Sequence, residues 1–300
     1  MDYRTLGKTG ATVSAIGLGG AHSAAPKDPA ESVRLIRTAI DGGITFMDNC
    51  WDYSGGEAEV RMGRALRDGY RERVFLMTKI DAHVATAATA QIEQCLQRLQ
   101  TDHLDLLQIH EVIRPDDPDR VFAPGGTIEA LVAARQAGKV RHIGFTGHKD
   151  PAIHLKMLDM GFAWDTVQMP LNCVDTHHLS FEARVLPVLV ERGIGVLGMK
   201  PLAAGEAVRS GAATAEECLR YAMSLPTSVV ITGCDSMPIL EQALRVWQNF
   251  QPMTAEEMAA LRARTAKHNA AGTLEGYKVG DRFDATNRNP HWLTTASLTA

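Results

Sequence analysis

"VFLMTKIDAHVATAATAQIEQCLQRLQTDHLDLLQIH", residues Val74–His110, is the stretch that decides the fold. Its two ends, Val74–Lys79 and Leu104–His110, are short apolar runs of the kind that a parallel sheet buries on both faces. Between them Ile92, Leu96 and Leu99 recur at helical spacing within Thr89–Leu99. Six further runs repeat the strand pattern: Ser14–Leu18, Thr45–Asp48, Val140–Thr146, Thr166–Met169, Gly195–Met199 and Val229–Thr232. Amphipathic segments separate them, at Glu31–Asp41, Thr127–Ala137, Leu179–Arg192, Glu216–Met223 and Pro238–Val246, with glycines at 42–43, 138 and 193 as stop signals. Strand then helix, eight times over, specifies an α/β fold, a (β/α)8 TIM barrel, in one domain spanning 1–300. Turn residues Gly7 and Gly10 make Tyr3–Leu6 and Ala11–Val13 an N-terminal β-hairpin placed to plug the barrel bottom. An extra C-terminal helix, Ala255–His268, and a polar tail from about 270 lie outside the repeat.

The totals exclude several function classes. A net charge of −4 in a chain that is 22% charged gives no electrostatic case for nucleic acid or an anionic membrane. Five cysteines without CxxC spacing read as reduced packing thiols of a cytoplasmic protein. The opening MDYRTLGKTG has no apolar signal core, and no apolar run is long enough to span a bilayer.

In such a barrel, chemistry sits where strands end and βα loops begin. The segment "ITFMDNCWDYSGGEAEVRMG", Ile44–Gly63, ends an apolar strand on Asp48 and places Tyr53 on the loop above it. Lys79 ends "VFLMTK" and His110 ends "LDLLQIH". Four titratable groups from neighbouring strands therefore converge on one mouth. A phenol near pKa 10 is a poor acid at neutral pH, a nearby ammonium lowers that value, and a carboxylate holds the ammonium in place. With a histidine to orient a carbonyl oxygen, the set protonates that oxygen while a nicotinamide delivers hydride to its carbon. Singly, each residue has an ordinary structural explanation; four in order at successive strand ends leave coincidence little room.

These three segments together resemble the aldo-keto reductase superfamily over nearly the whole chain. The resemblance implies a barrel that binds NADPH, sometimes NADH, without a Rossmann domain. It places Asp48, Tyr53, Lys79 and His110 on the catalytic tetrad, with Tyr53 as acid in reduction. It also implies a cofactor site along the later strands. Thr146 and Gly147 fall where the nicotinamide amide is contacted; Gly147 removes a side-chain hydrogen bond that His148 is expected to supply. Gln168 falls on the amide-binding glutamine. Met199 stands where many members stack an aromatic ring, with barrel core as its equal alternative. Lys200 is placed for a pyrophosphate charge, and Leu202 to Gly205 for the loop over the cofactor. Gly233, Cys234, Asp235 and Ser236 form the phosphate lip of the last strand. Gly233 and Ile239 replace the usual Lys and Arg for the 2′-phosphate, and Asp235 would repel it. The family background favours NADPH and these residues favour NADH, a balance that leans slightly to NADPH.

The substrate wall is expected from Trp51, Glu111 and Asn172, with Trp51 equally able to cover the barrel rim. The long loop after His110, "EVIRPDDPDRVFAPGG", reads as a lid, and the tail with His291 and Trp292 folds over the site or stays disordered. His177–His178 reads as an exposed pair, not a metal site, and no metal is expected. "GIGVLG" at Gly193–Gly198 fits GxGxxG but forms a strand and opens no helix, so it is not a dinucleotide loop. No tyrosine has a lysine four residues on, and neither GxSxG nor a P-loop occurs. Two other readings share the fold: a nicotinamide-binding regulatory or sensor subunit, and a cofactor-free lyase using Lys79 as a Schiff-base amine. The expected partner is a small-molecule carbonyl compound. Which compound, in which direction and in what oligomeric state are not legible in these letters.

Overall fold

The alternating segments close, in the computed structural model, into a ring of eight parallel strands wrapped by helices; residues 1–281 and 283–294 are described. Two strands, β1 (Tyr3–Thr5) and β2 (Thr12–Ser14), form the antiparallel hairpin. The ring follows as β3 (Ile16–Gly19), β4 (Phe46–Asp48), β5 (Phe75–Ile80) and β6 (Leu104–Ile109). Next come β7 (Val140–Thr146), β8 (Thr166–Pro170), β9 (Gly195–Met199) and β10 (Val229–Thr232). Each pairs in parallel with the next, and β10 returns to β3. Ser14, read as the start of the first ring strand, belongs to the hairpin opposite Tyr3, and its hydroxyl locks the corner by donating to Ile16 O at 2.6 Å.

Strand alternation splits the core in two. Phe46, Met77, Leu106, Leu197 and Val229 point inward and form one fully buried cluster with Leu6 and Val13 of the hairpin. Met47, Leu76 and Leu107, one residue out of step, join the shell between strands and helices. The hairpin does plug the barrel bottom. At its turn Gly7 has φ +53°, and a Cβ there would lie 2.3 Å from the Gly195 nitrogen, so glycine is required for the close approach.

The helices start where their caps allow. Asp28 accepts from the Ala30 nitrogen and Pro29 opens a helix running to Asp41. The same pair, Asp150 and Pro151, opens Pro151–Asp159, which the periodicity reading does not include. Leu179–Arg192 is broken into Phe181–Arg184 and Leu186–Arg192, with Pro187 in the first turn of the second. The loop after His110, expected as a lid, carries local structure of its own. It contains a short helix, Asp117–Phe122, and Asp117 accepts from the Ile113 and Arg114 nitrogens at 2.9 and 2.8 Å. The tail folds back over the mouth in short turns, including Gly276–Val279 and Ala285–Arg288; its last residues, 295–300, lie outside those described. No helix among the described residues is long and apolar enough to cross a membrane.

Candidate active site

Parity along the strands puts the polar ends on the inner surface. Asp48 follows inward Phe46 by two residues, Lys79 follows Met77, and Gln108 follows Leu106. Lys79 is 1% exposed, and its ammonium pairs with Asp48 and donates to Asn49 O at 2.8 Å and the Tyr53 hydroxyl at 3.3 Å. From the far side of the ring, Gln168 Nε2 donates to the other Asp48 oxygen at 2.8 Å. Tyr53 opens a single tight turn, Tyr53–Gly56, in which Ser54, Gly55 and Gly56 all take positive φ. That turn needs its glycines: a Cβ on Gly56 would lie 2.5 Å from the Arg98 guanidinium. Arg98 in turn donates to Trp51 O at 2.8 Å, which fixes the loop carrying the phenol. His110, just past the end of β6, presents its ring perpendicular to Tyr53 with centroids 5.8 Å apart. The four residues read from the sequence are thus gathered in one place.

The electrostatics differ from the sequence expectation. Burial, followed by Asp48, Cys50, Asp52 and Asp81, holds the Tyr53 phenol well above its usual value. Asp48 offsets the ammonium that was expected to lower it. A phenol in this setting stays protonated through neutrality and is a proton donor in waiting.

Two residues near the four were not read from the sequence. Asp81, fully buried, accepts from or shares a proton with His110 Nδ1 at 2.7 Å. Cys50 lies 3.2 Å from the same nitrogen and 3.7 Å from Asp81. The available signal was the spacing Lys79–Asp81, which repeats the inward parity of the strand beyond its expected end.

The residues expected to hold a cofactor fall into three groups. Thr146 Oγ1 meets Met199 Sδ at 3.9 Å, and Gln168 Oε1 is buried with no protein partner. The Lys200 ammonium touches Met199 Sδ at 3.7 Å and lies over the rings of Tyr277 and Phe283 at 5.3 and 5.6 Å. No carboxylate among the described residues pairs with it, and burial brings its pKa down to about 8. These three have unused polar capacity facing one region. At the last strand, Gly233 lies under the His22 ring, where a Cβ would come within 2.5 Å of the imidazole. Cys234 is buried, Asp235 is exposed and Ser236 precedes the helix Met237–Gln248. Leu202 and Gly205 bracket a turn after β9, half-buried.

A third group is committed elsewhere. A Cβ on Gly147 would sit 2.2 Å from Val112 O, so no side chain fits there. His148 does not make up for it: its Nε2 pairs with Asp284 of the tail at 3.0 Å, and burial pulls its pKa down to about 3. Glu111, expected in the substrate wall, accepts from the Ala285 and Thr286 nitrogens at 2.8 and 2.7 Å, which anchors the tail. Asn172 donates to Lys200 O at 3.2 Å and to the Tyr277 hydroxyl at 3.0 Å. Trp51 packs edge-on against Trp292 at 5.1 Å and donates to Gln94 at 2.6 Å, so it covers the rim. His177 and His178, expected in solvent, are half-buried; His177 Nε2 meets Thr265 Oγ1 at 3.1 Å, and a Cβ on Gly272 would lie 2.6 Å from the His178 ring.

The model of the Aldo/keto reductase family matches residues 15–210. The chain is 31% identical over 215 residues to the aldo-keto reductase YhdN of Bacillus subtilis (strain 168), a match covering 66% of this chain and 61% of that protein. It is 30% identical over 230 residues to the L-galactose dehydrogenase of Arabidopsis thaliana, covering 70% of this chain and 68% of that protein. Among solved structures it resembles the aldo-keto reductase AKR11C1 of Bacillus halodurans in its holo form, with a TM-score of 0.75 and 22% identity over 92% of this chain and 99% of that one. An aldo/keto reductase from Klebsiella pneumoniae, solved with NADP and acetate, gives a TM-score of 0.69 at 23% identity over 89% of this chain and 96% of that one.

Proposed function

The chain belongs to the aldo/keto reductase family, and from that membership we propose that it reduces an aldehyde or ketone to an alcohol with a nicotinamide cofactor. One observation carries the reading: the Lys79 ammonium bridges the Asp48 carboxylate and the Tyr53 hydroxyl at the barrel mouth, with the His110 ring beside them.

The residues fit a nicotinamide. Among the described residues, Gln168 Oε1 is a buried acceptor with nothing to accept from, the Thr146 hydroxyl meets a thioether alone, and the Lys200 ammonium pairs with no carboxylate. Bound there, a reduced nicotinamide supplies the hydride. The chain's own residues do the rest. His110 and Tyr53 hold the carbonyl oxygen, and Tyr53 gives that oxygen its phenolic proton as the carbon is reduced. The phenolate left behind faces the Lys79 ammonium, which Asp48 and Gln168 keep in place, until water returns the proton. The tail roofs the same region through Tyr277 and Phe283 and keeps water out.

The competing readings have less support. A Schiff-base lyase needs a neutral amine, whereas Lys79 is tied to a carboxylate, a carbonyl and a phenol. A sensor subunit does not need four catalytic groups in register. Separate titrations with NADPH and NADH, followed by protein fluorescence, and turnover on a panel of aldehydes and ketones test the proposal. Failure to bind either nucleotide rejects it.

Coenzyme choice rests on the lip of β10. Gly233 and Ile239 offer no cation, and Asp235 is exposed beside them. Asp235→Ala is expected to raise NADPH affinity relative to NADH by about fivefold at low salt, an advantage that fades as ionic strength rises. An unchanged ratio means that Asp235 does not face the 2′ position.

A further inference from the structure

We infer that Asp81 is a positioning residue for His110: its carboxylate, 2.7 Å from Nδ1, decides whether the opposite ring nitrogen presents a hydrogen or a lone pair to the substrate. The inference rests on the reductase reading above and adds to it a hydrogen on Nε2 that must be in place during the reaction and is not consumed by it.

A carbonyl oxygen only accepts hydrogen bonds, so His110 can orient it only when Nε2 bears a hydrogen. Nδ1 is taken by Asp81 and Cys50, and Nε2 has no hydrogen bond to any described residue. When the carboxylate is ionised and the imidazole neutral, the ring hydrogen lies on Nδ1, donated to Asp81. Nε2 is then a lone pair and repels the substrate. With one more proton in the pair, Nε2 carries a hydrogen whichever partner holds the other. Either Asp81 is protonated and donates to Nδ1, or the ring is an imidazolium and Nδ1 donates to the carboxylate. The productive state is therefore the doubly protonated pair.

The surroundings keep that second proton near neutrality. Asp81 is clamped in a solvent-free site, its own nitrogen donating to Gln91 Oε1 at 2.9 Å. Burial pushes its carboxyl up to about 7, with the Cys50 thiol, His83 and Lys79 opposing and Glu59 adding to the rise. Around the ring, burial lowers the His110 value and Lys79 and Lys200 act in the same direction, while Glu111 and Asp52 raise it. A raised carboxyl keeps its proton below the shifted value and loses it above. The hydrogen on Nε2 is therefore present below about pH 7 and withdrawn above it. Tyr53, held well above its usual value, does not titrate in this range, so the alkaline limb of reduction belongs to the Asp81–His110 pair.

Two readouts test this, one independent of turnover. In wild-type protein labelled with ¹⁵N-histidine, His110 should lose its Nε2 hydrogen as pH rises through neutrality, with the ring hydrogen on Nδ1 above the midpoint. In Asp81→Asn the amide donates to Nδ1 and fixes the hydrogen on Nε2, as a buried asparagine does beside other active-site histidines. That variant should keep Nε2 protonated to pH 9. For carbonyl reduction, wild-type kcat/KM should fall about tenfold per pH unit above the midpoint. The profile should be flat in Asp81→Asn and in Asp81→Leu, with nucleotide affinity unchanged in both. A wild-type limb surviving in the variants, or a uniform loss at every pH, overturns the inference and leaves the reductase reading standing. If the wild type reduces no carbonyl compound, the reductase reading falls, and the ¹⁵N titration still decides the tautomer. A wild-type Nε2 that keeps its hydrogen to pH 9 sinks the inference outright.

Discussion

Tyr53→Phe should lower kcat for carbonyl reduction by about a thousandfold, within the range that a positioned general acid contributes. The variant is clean because the phenol is the smallest part of the network to lose. Lys79 keeps its ion pair with Asp48 and its bond to Asn49 O, and the aromatic ring still meets His110 edge-on. The fold and the proposed nicotinamide pocket, drawn from Thr146, Gln168 and Lys200, do not depend on the hydroxyl. Nucleotide affinity should therefore stay within about twofold while turnover collapses, the pattern of a group that acts only in the transition state. Lys79→Met is a poorer test, because it strands the nearly buried Asp48 with Gln168 as its remaining donor and mixes destabilisation with chemistry. Rates of Tyr53→Phe within tenfold of wild type, measured under single-turnover conditions, would assign the proton to another donor.

The largest expected effect on stability is in the tail. Lys278 is buried, its side chain wholly enclosed, and pairs with Asp175 at 2.7 Å and Glu275 at 2.9 Å while donating to His178 O at 2.7 Å. Lys278→Met removes the cation from two enclosed carboxylates, a change that costs about 3–5 kcal/mol. For a chain of this length that corresponds to a drop in Tm of about 5–8 °C. Asp175 retains three donors, the Ser180 hydroxyl and the Phe181 and Glu182 nitrogens, and Glu275 retains two, the Asn269 amide and the Tyr277 hydroxyl, so the loss falls more on Glu275. Burial already raises the Glu275 carboxyl, and without Lys278 it takes up a proton to stay inside. Adding Glu275→Gln should recover part of the loss. Limited proteolysis should cut the Lys278→Met variant first within 270–294, because that segment is latched through this lysine. A Tm within about 1 °C of wild type, or first cleavage elsewhere, means that Lys278 does not latch the tail.

Part of the site is legible in the sequence and part is not. Asp48, Tyr53, Lys79 and His110 could be found because each lies at or just beyond the end of an apolar run, and the runs come in chain order around the ring. The barrel helix Pro151–Asp159 carried its signal in the Asp150–Pro151 cap, not in its apolar periodicity. Glu111 and His148 look like site residues in the sequence because they follow strand ends. Their actual partners are Thr286 and Asp284, 175 and 136 residues away. Asn172 and Trp51 were drawn the same way, to Tyr277 and Trp292.

Legible in the letters alone are the eight ring strands, most of the helices between them, the parallel run of the strands, and which strand ends carry ionisable groups. Those properties are local: a side chain's parity along a strand and a helix's start at a cap depend on neighbours a few residues away. Only the tertiary structure decided what each group is worth. The direction of the phenol's shift, the Asp81–His110 contact and the tail's closure over Lys200 depend on burial and on charges brought together across the ring. Coulomb energy and desolvation depend on distance and enclosure in space, and neither is a function of separation along the chain.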